Sequence, residues 1–276
     1  MTRNGRFLGL LALVFLSSIA FSFSTRAGLS VGPLSVRMEI EPGGSETASL
    51  TLRNTGEEPT DVGISLHDWW RTPQGDLQIL EAGSLERSCS SWLTFVPSYI
   101  SLASGEEAEV SMSMAVPEST EDVDVSGDHW AILLIEEKPP LLGEEDRVEG
   151  LTGTTRVVVS YAIKILQQDP ATTDRSARID DIALEGQDPL SFTITYTNTG
   201  SAHLQTIGTA QLLDLTGEPV RQFTIPVFPA LPGETRIVSL IDEGEETLAP
   251  GAYFISVVLD FGEEFLIQGG LPVVIE

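Results

Sequence analysis

Cysteine is almost absent from this chain of 276 residues, which contains a single one, Cys89. One thiol cannot close an internal disulfide, so the fold must be held together by packing. Cys89 also lies far from the amino terminus, which excludes the lipid-modified first residue of a lipoprotein, and we expect it to be a half-buried spacer. Histidine is scarce too, and His67, His129 and His203 lack the paired spacing that a zinc site requires.

Catalytic and nucleotide-binding signatures are missing. The chain has no Gly-x-Ser-x-Gly motif of a serine hydrolase, no phosphate-binding loop, no dinucleotide fingerprint and no Asp-x-Asp-x-Asp-Gly calcium loop. The adjacent pairs His67-Asp68 and Asp128-His129 lie in or beside predicted strands, where neighbouring side chains point to opposite faces. We interpret them as rim residues. The sequence therefore predicts a protein that is not an enzyme and that uses no cofactor, no metal and no small-molecule substrate.

Positive charge is scarce as well. The chain carries 15 Lys and Arg against 41 Asp and Glu, a net charge of −26, and three of the arginines lie in the first 27 residues. Such a surface repels nucleic acid and anionic lipid, so neither is expected as a partner. The acidic residues are scattered through turns, which solubility or a high-salt habitat explains better than a cation-binding role.

Only one long apolar run occurs, at residues 7–20, and it follows Arg3 and Arg6. A basic start before an uncharged run of this length is typical of a secretory signal peptide, with cleavage after Ala20 or after Ala27. The run is shorter than the roughly 20 residues that span a bilayer, so a retained anchor is the less favoured alternative. We expect residues 1–27 to be a signal peptide and the mature protein to be periplasmic or extracellular and not membrane-integral.

Period-two alternation of apolar and polar residues dominates the remaining sequence and is typical of half-buried β-strands. In the first half it predicts strands at 34–40, 47–53, 62–70, 92–96, 108–116, 129–136 and 155–166. In the second half it predicts strands at 177–184, 190–198, 207–213, 220–225, 236–241, 252–260 and 264–275. The four tryptophans are expected in core or domain-edge packing rather than in carbohydrate stacking, although one of Trp69 and Trp70 must face outward.

The two halves of the chain share the sequence pattern of one β-module. The triplet Asn-Thr-Gly closes one strand in each half, at 54–56 and 198–200, and a Gly-Glu turn follows at 105–106 and again at 233–234. Seven short strands per half indicate an all-β chain of two tandem immunoglobulin-like sandwiches, at 30–167 and 175–276. Asp169-Pro170 and a polar stretch mark the boundary, at 167–178. Residues 141–154 are predicted to be a mobile loop.

Three segments of the first half resemble the amino-terminal domain of periplasmic pilus-assembly chaperones of the PapD type. Val-Arg-Met-Glu-Ile-Glu-Pro-Gly-Gly at 36–44 resembles their first strand and turn. Residues 128–140, which end in an acidic stretch and a double proline, resemble their sixth strand, and Ala-Ile-Lys-Ile-Leu at 162–166 resembles the end of their seventh. The likeness covers most of residues 30–170, whereas the second half fits only a generic sandwich.

This resemblance implies a chaperone that binds secreted pilus or surface-protein subunits by β-strand addition. In such chaperones an arginine and a lysine in the interdomain cleft grip the subunit's terminal carboxylate. The matching residues in this sequence are Arg37 and Lys164. The strand that pairs with the subunit would include Thr155, Val157 and Val159.

The chain departs from this family in two respects. The predicted pairing strand has smaller apolar residues than the family's, with Val158 breaking the alternation, and the chain is far more acidic than these chaperones usually are. Ser-Cys-Ser-Ser-Trp at 88–92 and the pair Asp68-Trp69 instead resemble bacterial surface proteins of the WxL-interacting type. The alternative function is therefore a non-enzymatic surface protein that tethers partners to the cell envelope.

Overall fold

The computed structural model describes residues 28–121, 125–138, 159–172, 174–244 and 247–276. Within these ranges the regular structure is β-strand, apart from one 3-10 turn at Ser90–Trp92, which confirms the predicted all-β fold of two sandwiches. None of the helical structure in these ranges is long and apolar enough to cross a membrane. The predicted signal peptide at 1–27, the predicted loop at 141–154 and the candidate residues Thr155 and Val157 lie outside the described residues.

The described residues of the first sandwich form ten strands. They are β1 (Leu29–Gly32), β2 (Ser35–Glu39), β3 (Ser45–Asn54), β4 (Thr60–Arg71), β5 (Leu77–Leu80), β6 (Leu93–Val96), β7 (Tyr99–Leu102), β8 (Glu107–Ala115), β9 (His129–Lys138) and β10 (Ser160–Gln168). One sheet has the order β1-β3-β8-β6, and the other has the order β2-β10-β9-β4, with β5 and β7 also paired to β4. All these pairs are antiparallel except β10 with β2.

The second sandwich has seven strands. They are β11 (Ala177–Gln187), β12 (Leu190–Asn198), β13 (Leu204–Leu213), β14 (Pro219–Ala230), β15 (Thr235–Ile241), β16 (Gly251–Asp260) and β17 (Ile267–Ile275). Its sheets have the orders β11-β12-β15 and β14-β13-β16-β17. The predicted domain boundaries at 30–167 and 175–276 stay predictions.

Three strands of the first half escaped prediction, so the expected count of seven is wrong there. The missed strands, β1, β5 and β7, have only four residues each, and β5 is largely exposed. A strand of four residues shows at most two alternations, and an exposed one shows none, so periodicity cannot reveal it. The predicted strand at 155–166 corresponds, in its described part, to β10, which begins at Ser160.

Alternation builds the core, as β12 shows most clearly. Every second residue from Leu190 to Asn198 is buried, and the residues between them are partly exposed. Two buried rings of this strand meet rings of the opposite sheet edge to face, Phe192 with Phe223 at 5.1 Å and Tyr196 with Phe228 at 5.2 Å between ring centroids. Each such pair adds about 0.5–1.5 kcal/mol beyond the burial of its area.

The repeated Asn-Thr-Gly triplet makes the same hydrogen bonds in both sandwiches. Asn54 and Asn198 are buried, and each side chain donates to two backbone carbonyls and accepts from the amide of the glycine two residues later. The Gly-Glu turns close on the same residues, because the amides of Gly105 and Gly233 donate to the Asn54 and Asn198 carbonyls, both at 3.0 Å. Both glycines have a positive φ, 75° and 77°, which disfavours any residue with a β-carbon.

Cys89 belongs to the core of the first sandwich and is 0% exposed, so the expectation of a half-buried spacer is wrong. Its amide donates to the Trp130 carbonyl at 3.2 Å, which holds this segment against β9. Burial raises the pKa of the Cys89 thiol and keeps it protonated. The flanking Ser88 and Ser90 are polar, so the sequence of this segment resembled that of a surface loop. In the structure their hydroxyl oxygens are hydrogen bonded to each other, 2.7 Å apart.

Candidate functional site

A cavity of about 470 Å³ lies between the two sandwiches, and we call it the junction cleft. The first sandwich contributes charged and apolar side chains from β2, β4 and β10, and the second contributes the loop before β13 and the end of β14. The lining residues are Leu34, Ser35, Arg37, Trp69, Arg71, Ala162, Lys164, Leu166, His203, Gln205, Pro229 and Leu231. The two basic residues singled out by the sequence, Arg37 and Lys164, therefore both line one cleft.

Strand pairing places these two cations on the same face of the sheet. β2 and β10 run parallel, with Arg37 beside Leu166 and Lys164 beside Ser35. Val36 and its alternate neighbours on β2 are buried in the core, so Arg37 points away from the core and towards the cleft. Neighbouring strands of a sheet lie about 4.8 Å apart, which brings both long side chains within reach of one ligand group.

A third cation, Arg71, joins them at the end of β4. The Arg71 guanidinium lies over the Trp69 ring at 4.6 Å, and the Lys164 ammonium lies over the same ring at 5.1 Å. Trp69 is only 3% exposed, and its indole nitrogen donates to the Ala131 carbonyl at 3.0 Å, so the ring is fixed in place. A fixed aromatic face stabilises cations by about 0.5–1 kcal/mol at accessible sites, and by more when they are desolvated.

The second sandwich supplies one negative charge to this cluster. Glu234 is 0% exposed, and its Oε2 accepts hydrogen bonds from the Leu231 amide at 2.6 Å and from the Arg71 guanidinium at 3.1 Å. Burial raises the pKa of Glu234, and it lowers the pKa of Arg71. The Arg71 guanidinium nevertheless stays protonated, as arginine does in proteins, so Glu234 serves as its counter-charge. This buried ion pair joins the two sandwiches.

His203 carries no charge in the folded chain at neutral pH. Burial, followed by the cations of the cleft, first Arg37 and then Arg71, lowers its pKa to about 4. Its backbone amide donates to Asp128 Oδ2 at 2.7 Å, which fixes the loop of the second sandwich against the first. Burial also lowers the pKa of Lys164, and the neighbouring Arg71 adds to that effect.

The cleft has a surplus of positive charge. Among the described residues, no carboxylate lies within ion-pairing distance of Arg37 or Lys164, whereas Arg71 is matched by Glu234. Two cations without a counter-charge favour an anionic ligand group, and a carboxylate can accept from both. The chain as a whole has a net charge of −26, so this positively charged cleft is opposite in sign to the rest of the molecule.

No described strand covers the sheet edge beside these cations. β2 pairs with β10 only from Lys164 onward, whereas β9 pairs along the other side of β10 from Ser160 to Gln167. Residues 160–163 therefore have no strand partner on the β2 side in the described part of the chain. Val159, the described member of the predicted pairing strand, is half-buried, and its carbonyl accepts from the Glu137 amide at 3.2 Å.

The interpretation of the His-Asp pairs as rim residues is wrong for three of the four. Asp68, Asp128 and His129 are buried, with exposures of 0%, 2% and 4%. Asp68 accepts from the Leu85 amide at 2.9 Å, and His129 donates to the Gly127 carbonyl at 3.1 Å, so these side chains hold loops in place. Single-sequence reasoning missed the burial of Asp68 and Asp128 because the amides that they accept from, of Leu85 and His203, lie 17 and 75 residues away. The described residues contain no cluster of His, Cys, Asp and Glu that could hold a metal ion.

The tryptophans were correctly placed in packing. Trp69 and Trp130 are buried in a small cluster that includes Leu231 of the second sandwich, while Trp70 is partly exposed at its edge. What sequence reasoning missed is the role of Arg71, which directly follows the pair of tryptophans. No sequence signal pointed to it, because its partner Glu234 lies 163 positions away in the second sandwich.

Comparison with known proteins finds similarity only at the level of solved structures, since no family model and no curated protein sequence matches this chain. The class 5 fimbriae chaperone CfaA is 12% identical, over 89% of this chain and 98% of its own, with a TM-score of 0.47. The CsuC–CsuE chaperone–tip adhesion subunit complex of Acinetobacter baumannii matches at 13% identity, over 88% of this chain and 98% of that one, with a TM-score of 0.46.

A complex of the SafA pilin with the SafB chaperone from Salmonella enterica matches at 13% identity, over 88% of this chain and 96% of that one, with a TM-score of 0.44. All three structures contain fimbrial chaperones, the class that the sequence motifs resemble. At these identities and TM-scores the likenesses carry no weight for the roles of individual residues or for function.

Proposed function

We propose that this chain is an exported, non-catalytic chaperone-like protein that binds secreted pilus or surface-protein subunits by β-strand addition. The observation that carries the proposal is the position of Arg37 and Lys164. They lie at the point where the open edge of β10 meets the junction cleft. The edge offers backbone hydrogen bonds to an added strand, and the cations offer a site for its terminal carboxylate.

This arrangement dictates the direction of the bound strand. β2 already covers the edge of β10 beyond Lys164, so an added strand can lie only beside residues 160–163 and Val159. If its carboxyl end reaches Arg37 and Lys164, its body must extend back towards Ser160. The added strand therefore runs parallel to β10, as β2 does. Each main-chain hydrogen bond contributes about 0.5–1.5 kcal/mol net.

The roles of Thr155, Val157 and Val159 belong to the same proposal. Alternate side chains of a paired strand point to one face, so these three would enter a groove of the subunit together. Their small size favours a subunit whose groove is shallow. The proposal places the protein in the periplasm or outside the cell, with subunit proteins as its partners.

The proposal is tested by capture from the native envelope. Arg37→Ala and Lys164→Ala should each lower the amount of co-purified subunit, quantified by mass spectrometry, by about ten- to a hundredfold, because a charge-assisted hydrogen bond contributes about 1.5–3 kcal/mol. The double variant should lose less than the product of the two effects, since both cations act on one group.

Arg53→Ala is the matched control, because Arg53 is an exposed arginine of the same sandwich whose partner, Glu107, is also exposed. It should retain full capture, and all variants should keep the melting temperature of the parent. If Arg37→Ala and Lys164→Ala fold normally and capture as much as the control does, carboxylate anchoring is wrong. The surface-tether alternative would then replace it.

A further inference from the structure

Within the described ranges of the chain, one carboxylate oxygen of Glu137 lacks a hydrogen-bond partner. Glu137 lies on the same face of β9 as Leu133 and Ile135, both 0% exposed, so its side chain points into the end of the first sandwich. Its Oε1 is buried and makes no hydrogen bond to any residue that the structure describes. A buried carboxylate oxygen without a partner is unfavourable, which indicates that a group is missing from its surroundings.

The backbone of Gly28 lies close to this oxygen. Oε1 of Glu137 lies 3.2 Å from the position that a β-carbon of Gly28 would occupy. The backbone nitrogen sits on the same α-carbon, about 2.5 Å from such a β-carbon, so it lies within a short side-chain movement of the carboxylate. Any larger residue at position 28 would crowd Oε1, which explains why glycine suits this position.

Gly28 is held firmly in place. Its carbonyl accepts from the Thr55 amide at 3.0 Å, and Leu29, the first residue of β1, is 1% exposed and pairs with Asn54. The hydroxyl of Tyr161 donates to the Leu29 carbonyl and is therefore engaged elsewhere. The nitrogen of Gly28 thus has a defined position beside an unsatisfied carboxylate.

Ala27 is one of the two residues after which the sequence predicts signal-peptide cleavage. We propose that an export peptidase cuts between Ala27 and Gly28 and that the new α-ammonium group of Gly28 forms an ion pair with Glu137. Hydrolysis adds water across the peptide bond. Ala27 leaves with the carboxylate, and the Gly28 amine takes up a proton and becomes a cation.

The alternative cut after Ala20 would not give Glu137 a charged partner at Gly28. Seven residues would then precede Gly28, the α-ammonium group would lie on Phe21, and the Gly28 nitrogen would stay a neutral amide. A cut at Gly28 instead puts a positive charge on the Gly28 nitrogen itself, beside the carboxylate. Cleavage would therefore supply the ion-pair partner of Glu137 and fix the start of β1. This effect would not depend on whether a partner protein is bound.

The first test is the mass of the exported protein. The full-length chain is expressed with its own leader, purified from the envelope, and examined by intact mass measurement and amino-terminal sequencing. The proposal expects a mature chain that begins at Gly28. A chain that begins at Phe21, or that keeps Met1, overturns it.

The second test measures the pKa of the α-ammonium group by NMR titration of the Gly28 α-carbon in the mature chain. A free α-amino group titrates at about 7.7–8.0, and a neighbouring carboxylate favours the charged form, so the pKa should be about one unit higher. Glu137→Gln should return it to the ordinary range. Glu136→Gln is the matched control, because Glu136 is an exposed neighbour that pairs with Lys138, and it should leave the pKa raised.

A further variant keeps the proposal testable if Glu137→Gln does not fold. A chain that begins at Ala27 keeps Glu137 but moves the ammonium group by one residue, and its α-amino pKa should be ordinary. If the chains that begin at Gly28 and Ala27 titrate at the same pKa, the ion pair does not exist and the proposal is overturned.

Discussion

The buried ion pair between Arg71 and Glu234 should make the stability of one sandwich depend on the other. The pair connects residues 163 positions apart, one on each sandwich, and Glu234 is 0% exposed. Glu234→Gln keeps the shape of the side chain and an oxygen that can still accept from the Leu231 amide. It removes only the negative charge and leaves Arg71, which is 7% exposed, without its counter-charge.

The expected loss is large. Removal of one partner of a buried ion pair destabilises a protein by about 3–5 kcal/mol, because the remaining charge is buried alone. For chains of this size each kcal/mol lowers the melting temperature by roughly 2–4 °C, so a loss of about 3 kcal/mol predicts a decrease of roughly 6–12 °C. Removing both charges, with Arg71→Met and Glu234→Gln together, should recover part of the loss, since Arg71 is then no longer a buried charge without a partner, while Arg236, 3.9 Å from Glu234, still loses its counter-charge.

Urea titration and differential scanning calorimetry test this prediction. The sequence repeat offers a matched control, because Glu106 caps the first Gly-Glu turn in the same way, with its Oε2 accepting from the Ala103 amide at 2.7 Å, yet is exposed. Glu106→Gln should change the unfolding free energy by less than about 0.5 kcal/mol. Equal losses for Glu234→Gln and Glu106→Gln, or a double variant less stable than Glu234→Gln, would refute the reasoning.

Two further predictions concern titration and reactivity. The unfolding free energy should fall between about pH 6.5 and about pH 4, because an unfolded chain protonates His203 at its ordinary pKa of 6.5, whereas the folded chain, with a pKa of about 4, does not. Urea titrations over that range should show a shallower fall for His203→Gln, and an unchanged slope would contradict the assignment. Cys89 should be inert to Ellman's reagent in the native protein and react fully in concentrated guanidinium chloride, since its thiol is buried and its pKa is raised. Rapid labelling of the native protein would show that this segment opens readily.

The sequence alone predicted strands and turns wherever a short local pattern reveals them. Alternation located most of the strands, and for β12 it predicted both ends, because side chains that alternate between core and solvent are visible within one strand. The doubled Asn-Thr-Gly triplet predicted a doubled module, and Asn54 and Asn198 make equivalent hydrogen bonds because the same short-range turn chemistry is repeated. Short strands such as β5 escaped because they bury almost nothing.

The site was predictable only in part. Arg37 and Lys164 were selected through a resemblance of short motifs, and the structure places both on one cleft, while their role in binding stays a prediction. Arg71 gave no signal of its own, since nothing near it in sequence shows that a carboxylate from the other sandwich would meet it.

The sequence by itself determined most of the strands, the repeated turn and the scarcity of positive charge. Tertiary structure alone decided that the glutamate of the second turn is a buried counter-charge, whereas that of the first is exposed. Both glutamates cap their turns identically, as local hydrogen bonding requires, with the amide of the residue three positions earlier. They differ because only Glu234 lies against the other sandwich, and contacts between sandwiches depend on how two finished cores pack, which no local sequence pattern encodes.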